Sequence, residues 1–165
     1  MEKEYNKRSK EFVETYFKLY SERNPAVLDL IDDDFIGLDG ISTKIYTKEK
    51  WSQALEHDFT EIENPFLIKL ANIGVQKIEK DIITVATISS WYIPFFENYP
   101  EFDKMRTVFI LRRTEDSFSI VHLSNSISLL SLDQRDVFPT KLFSLLKKWK
   151  NPDYILGGFN EDSKK

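Results

Sequence analysis

The chain has no cysteine. Disulfides, thiolate metal sites and cysteine nucleophiles are therefore excluded. Histidine is nearly as scarce, with only His57 and His122 among 165 residues. Two isolated imidazoles among scattered acids have no metal-ligand spacing, so neither a metal nor a cofactor is expected. No apolar run approaches the roughly 20 residues of a membrane span. The first ten residues, MEKEYNKRSK, lack the apolar core of a secretory signal. A cytoplasmic protein with no membrane partner is the resulting expectation. Positive charge is also in deficit, at a net −4. With no basic stretch, nucleic acid is not an expected partner. Internal repeats and interdomain linkers are absent too.

What is present is aromatic. Phe, Trp and Tyr make up 14% of the chain, and 13 of these residues are Phe. Such a supply suits a core of large side chains or a pocket lined by rings. The hydrophobic share of 41% and charged share of 30% are those of a soluble globular protein. The length allows one domain with a real core, placed at residues 1–150, followed by a polar tail at 151–165.

Residues 3–22 carry Phe12, Val13, Tyr16, Phe17, Leu19 and Tyr20 at three- and four-residue spacing, which predicts a helix. Asn24-Pro25 stops it and starts a short second helix running to Ile31. Asp32, Asp33 and Asp34 read as a solvated acidic turn, because calcium loops space their ligands around glycine. Phe35 to Leu38 is a short strand and Asp39-Gly40 a turn. Thr47 is a suitable N-cap for a helix over 48–62 with Trp51, Ala54, Leu55, Phe59 and Ile62 on its apolar stripe and Asp58 at the rim. Two long strands follow, 66–80 with a bulge expected near Gly74, and 82–96 with pairing lost near Pro94. A last amphipathic helix begins near Pro139 and carries Leu142, Leu145, Leu146 and Trp149. The layout is α+β, with helices first, then a bent antiparallel sheet, then one more helix.

The most informative stretch is 104–128, KMRTVFILRRTEDSFSIVHLSNSIS. Thr107 to Leu111 is an apolar or β-branched run ended by Arg112-Arg113. Thr114 to Ser117 are turn formers. From Phe118 onward one alternating face holds Phe118, Ile120, His122, Ser124 and Ser126, and the other holds Ser119, Val121, Leu123, Asn125 and Ile127. Both faces turn polar toward the far end, which predicts that this end borders a polar cavity.

The Arg-Thr, the paired Arg-Arg and the run from Phe118 through Ile120 and His122 to Ser126 resemble the last hairpin of the SnoaL-like branch of the NTF2-like superfamily. Phe118 takes a place usually held by Trp, and Ser124 one where a second His is common. Ser128-Leu129-Leu130, with Gln134 and Phe138-Pro139, resembles the extension of SnoaL-like sensory domains in bacterial signalling proteins. The resemblance implies an NTF2-like (cystatin-like) cone, with N-terminal helices closing a strongly curved antiparallel sheet and an extra C-terminal helix. It implies a pocket inside the cone and a homodimer through the outer sheet face.

Within that frame the expected function is a non-catalytic small-molecule-binding, sensory or dimerisation domain. Its ligand is expected to be a small organic molecule, anionic or aromatic. The candidate ligand-binding residues are Tyr16, Tyr20, Trp51, Trp91, Arg106, His122 and Ser124, with Arg106 as a fork for carboxylate or phosphate. The alternative is a ketosteroid isomerase-like or polyketide cyclase-like enzyme using Asp39 as base and Tyr16 as donor.

Overall fold

The computed structural model describes residues 2–40, 44–62, 65, 67–92 and 102–127. The chain divides into two compact units, Met1–Leu129 and Leu130–Lys165, and every described residue lies in the first. The C-terminal helix expected from Pro139, the tail at 151–165 and the break at Pro94 lie outside the described residues.

Helix α1 spans Glu2–Ser21. It turns Phe12, Val13, Tyr16 and Phe17 into the core, as their spacing requires. Its end is closed by two bonds, Asn24 N–H to the Leu19 carbonyl at 2.9 Å and Arg23 N–H to the Tyr20 carbonyl at 3.1 Å. This is a Schellman closure, which places Arg23 in the left-handed region at φ 59°. Asn24 then caps a short 3-10 helix, Pro25–Leu30, by accepting from Ala26 N–H at 3.0 Å.

The first strand starts earlier than the sequence suggested. β1 is Ile31–Leu38, so the acidic triplet belongs to a strand and not to a turn. Each acid has a partner. Arg112 Nη1 reaches Asp32 Oδ1 at 3.1 Å and Asp34 Oδ2 at 3.2 Å, Ser119 Oγ donates to Asp32 at 2.6 Å, and Lys48 Nζ meets Asp33 at 2.7 Å. These bonds clasp one end of β1 to Ser119 and Arg112 of the same sheet and to Lys48. Burial works to raise the Asp32 carboxyl, but Ser119, the Asp34 N–H and Arg112 hold it below its usual value.

After a three-residue strand β2 (Ile45–Thr47) comes helix α2, Lys48–Glu61, with Trp51 and Leu55 buried. Thr47 stands at its N-cap but makes no side-chain capping bond. Then follow β3 (Leu67–Lys77), β4 (Ile82–Tyr92), β5 (Phe102–Arg113) and β6 (Phe118–Ile127). They form one six-stranded sheet in the order β2-β1-β6-β5-β4-β3. All pairs are antiparallel except β1 with β6, which is parallel. The sheet is thus mixed, where an antiparallel one was expected. A parallel neighbour needs a long connection, and α2 with β2, β3, β4 and β5 supplies it.

Four register shifts bend the sheet. On β3 the extra residue is Ala71, since Leu70 pairs Ser89 and Asn72 pairs Ile88. The bulge expected at Gly74 therefore sits three residues earlier, and Gly74 pairs regularly with Ala86. On β6 the extra residue is Val121, because Leu111 pairs Ile120 while Ile110 pairs His122. The concave face carries Ile83, Val85, Phe109, Leu111 and Ile120 against α1. Along β5, Thr107, Phe109 and Leu111 are buried while Val108 is exposed, so this run alternates and is covered on one face only.

Candidate functional site

Between α1, α2 and the concave end of the sheet lies a cavity of about 380 Å³. Helix α1 contributes Tyr16, Phe17 and Tyr20, presented by the same stripe that packs its other half on the sheet. Helix α2 contributes Trp51, Ala54, Leu55, His57 and Asp58. Asp39 after β1, Tyr46 of β2, Trp91 of β4 and Asn125 of β6 complete the described wall.

The rings interlock edge to face. Tyr16 meets Phe17 at 5.6 Å and Phe109 at 5.2 Å, Tyr20 meets Trp91 at 5.3 Å, and Trp51 meets Phe35 at 5.4 Å and Tyr46 at 5.5 Å. Such pairs add packing energy beyond their area and hold the wall stiff. Trp51 lies close enough to β1 that a side chain at residue 37 has no room. A Cβ on Gly37 would come within 2.7 Å of Phe35 Cζ and 2.8 Å of Trp51 Cε3. Trp91 is held by its own strand, where its indole N–H donates to Ser89 Oγ at 2.8 Å. Thr107 Oγ1 donates to Asn125 Oδ1 at 2.7 Å and fixes that amide at the cavity wall.

The polar groups are phenols, two carboxylates, the His57 imidazole and the Asn125 amide. Burial raises both phenols, Tyr16 strongly and Tyr20 to about 12, with the Asp58 charge adding to the effect on Tyr20. Both remain neutral donors at ordinary pH. Tyr20 Oη donates a long bond of 3.5 Å to Asp58 Oδ2. Burial raises the Asp58 carboxyl, against the opposing pull of Arg23, His57 and that hydrogen bond. Arg23 stands behind the wall, its guanidinium 5.3 Å from the Tyr20 ring centroid and 5.2 Å from that of Phe59. Among the described residues that line the cavity, the acids are Asp39 and Asp58, and no Lys or Arg is present. No group of His, Asp and Glu among the described residues is arranged to hold a metal ion.

Of the residues singled out from the sequence, the structure brings Tyr16, Tyr20, Trp51 and Trp91 together at this cavity, with Asp39 beside them. It does not bring Arg106, His122 or Ser124 there. Arg106 is exposed on the other sheet face, opposite Ile88 and Ser126. His122 pairs with Ile36 and Ile110, and Ser124 with Leu38 and Val108, all on that outer face. The cause is the Val121 bulge. A one-residue insertion in a strand exchanges its two faces. Before it Phe118 and Ile120 point inward, and after it Leu123 and Asn125 do. Its trace is visible in the residues: the large apolar side chains move from even positions, 118 and 120, to an odd one, 123. Sequence reasoning also passed over Phe17, Tyr46 and His57 as cavity residues. Tyr46 lies on a strand too short to show alternation.

Residues 10–129 match the family model of the SnoaL-like domain. No curated protein matches the chain significantly. An NTF2-like protein of unknown function from Pseudomonas putida superposes with a TM-score of 0.68 at 16% identity, over 83% of this chain and 96% of the other. An NTF2-like protein with a cystatin-like fold from Novosphingobium aromaticivorans gives 0.61 at 14% identity, over 76% and 83%. A candidate scytalone dehydratase from the same organism gives 0.66 at 9% identity, over 74% and 83%. At such identities the likeness is one of fold.

Proposed function

Because the chain belongs to the SnoaL-like domain family, we propose that it binds a small ring-bearing organic molecule as a non-catalytic binding or sensory unit of the cytoplasm. The observation that supports this reading is a cavity of about 380 Å³ walled by Tyr16, Phe17, Tyr20, Tyr46, Trp51 and Trp91, with a few polar groups at fixed places. Its acids and its lack of lining Lys or Arg among the described residues favour uncharged ligands over the anions expected from the sequence. The test is a thermal-shift screen of uncharged bicyclic aromatics against matched carboxylates. Stabilisation by the uncharged set, lost in Tyr20→Ala, is the expected result. A flat response to every compound would end the proposal.

A second reading is favoured by one observation: Asp39 and Tyr16 line the same cavity. A carboxylate base and a phenol donor facing one ligand suit proton abstraction beside a carbonyl. Solvent-deuterium exchange into a bound ketone, abolished in Asp39→Asn, is its signature. Wild-type protein that exchanges nothing retires it.

The outer sheet face supports self-association. Ile36, Leu38 and Val108 are exposed there beside Arg106, His122 and Ser124. Sedimentation is expected to show a dimer that Val108→Lys dissociates. A monomer at all concentrations would remove this part of the reading.

A further inference from the structure

Among the residues that line the cavity, Tyr16, Phe17, Trp51 and Leu55 are buried, Asp39 is partly exposed, and His57 and Asp58 are exposed. The cavity thus has a closed, ring-lined depth and a polar mouth. The fixed charges at that mouth are the carboxylates of Asp39 and Asp58, since no Lys or Arg lines the cavity among the described residues. Asp58 is loosely engaged. Its side-chain hydrogen bond among the described residues is the 3.5 Å contact from Tyr20 Oη, and it enters no ion pair there. Arg23 draws on it from behind the wall and His57 stands next to it in sequence, yet burial still raises its carboxyl. A charge held against that tendency on a cavity wall points to a function for the charge. The rings are an independent observation. Faces of Tyr and Trp are the negative pole of the ring quadrupole and attract cations within about 6 Å. Tyr20 already acts in this way, with the Arg23 guanidinium 5.3 Å from its centroid.

We infer that the occupant is a cationic aromatic amine, its rings seated against Tyr16, Trp51 and Trp91 and its ammonium at the mouth beside Asp58 and Asp39. This inference rests on the binding reading above and carries its charge preference one step further, from disfavouring anions to selecting a cation. An anion at the mouth would meet two like charges across a small space. An uncharged ring compound fills the depth but draws nothing from the carboxylates. An ammonium gains from both carboxylates and from the ring faces. Because Asp58 is exposed, it sheds little water to meet that ammonium, which keeps the desolvation cost of the pair small.

The experiment titrates the whole chain by calorimetry at pH 7 with two probes of one shape, 2-(aminomethyl)naphthalene and 2-(hydroxymethyl)naphthalene. The amine carries a positive charge and the alcohol none. Wild-type protein is expected to bind the amine roughly tenfold more tightly, the joint effect of an ion pair at the mouth and the ring faces. Raising salt from about 0.02 M to about 0.5 M should cut that ratio to about threefold, since an exposed pair is screened. Asp58→Asn should cut it to about threefold at low salt. Titration of the Asp58 carboxyl by NMR separates the probes by sign. The amine should lower its pKa, while the alcohol, which only covers it, should not.

If wild-type protein binds both probes equally, or the alcohol more tightly, no cation is selected; the inference fails while the binding reading stands. If Asp58→Asn keeps the wild-type ratio, or the amine leaves the Asp58 pKa in place, the ammonium lies elsewhere and the inference fails. If neither probe binds, the binding reading fails and takes the inference with it. Should Asp58→Asn not fold, the wild-type protein decides alone: a ratio that ignores salt overturns the inference.

Discussion

Gly37→Ala isolates the packing of β1 against Trp51, one of the cavity rings. In an ordinary strand this change would raise stability by about 0.4–1 kcal/mol, because alanine has less freedom to lose on folding. Gly37 has no positive φ, so the backbone itself accepts alanine. What opposes the change is space. The added methyl would stand 2.7 Å from Phe35 Cζ, 2.8 Å from Phe35 Cε1 and 2.8 Å from Trp51 Cε3. Both rings are buried, at 2% and 5% exposure, and neither is a flexible chain end. Relief requires both to move, and overpacking of this kind costs about 1–3 kcal/mol. The expected outcome is a net loss of about 1–2 kcal/mol after the entropic gain is subtracted. For a chain of this size that lowers Tm by roughly 2–8 °C. Urea unfolding should show the same loss as a lower midpoint at unchanged slope. Tryptophan emission should shift as well, since Trp51 must tilt. A variant as stable as the wild type or more so, with unchanged emission, would refute the claim that the two rings close on the α-carbon of Gly37.

Three further outcomes follow from the electrostatics and the backbone. Asp32 has a folded-state pKa below its ordinary 3.8, so its stabilising contribution is complete above that value and is lost as pH falls through the folded value. Asp32→Asn should therefore lower Tm at pH 7 and flatten the decline of Tm below pH 4; an equally steep decline would count against the clasp. Asp58 behaves oppositely. Its folded pKa lies above 3.8, so its contribution is present below 3.8 and disappears as pH rises through the folded value. Asp58→Asn should raise Tm at pH 7 and leave it unchanged at pH 3, and a lower Tm at pH 7 would contradict this. Arg23 occupies a left-handed position usually given to glycine, while its guanidinium covers Tyr20 and Phe59. Arg23→Ala retains the strain and loses the stacking, whereas Arg23→Gly relieves the strain, so the glycine variant should be more stable by about 1 kcal/mol in urea titrations. Equal stabilities would show that the left-handed backbone carries no cost here.

Helices α1 and α2 were legible because their cause is local. Phe12, Val13, Tyr16 and Phe17 recur at the helical period, and the period alone assigns both the helix and its buried face. The fold class was legible for a related reason, since the order of helices and strands leaves few ways to cover a sheet. The four cavity rings Tyr16, Tyr20, Trp51 and Trp91 followed from aromatic content placed on those faces. Arg106, His122 and Ser124 were placed on the wrong side because strand parity is a global count. One extra residue at Val121 inverts every side chain beyond it.

By itself, the order of residues determined helices α1 and α2, the long strands β3 to β6 and most of the apolar side chains that leave water, because those choices depend on neighbours a few positions apart. Only the tertiary structure decided that Asp32, Asp33 and Asp34 are a clasp within a strand, that β1 runs parallel to β6, and that Asn125 and not Ser124 faces the cavity. Those outcomes depend on register between distant strands and on where bulges fall, and register is chosen by the packing of the whole sheet against α1 and α2.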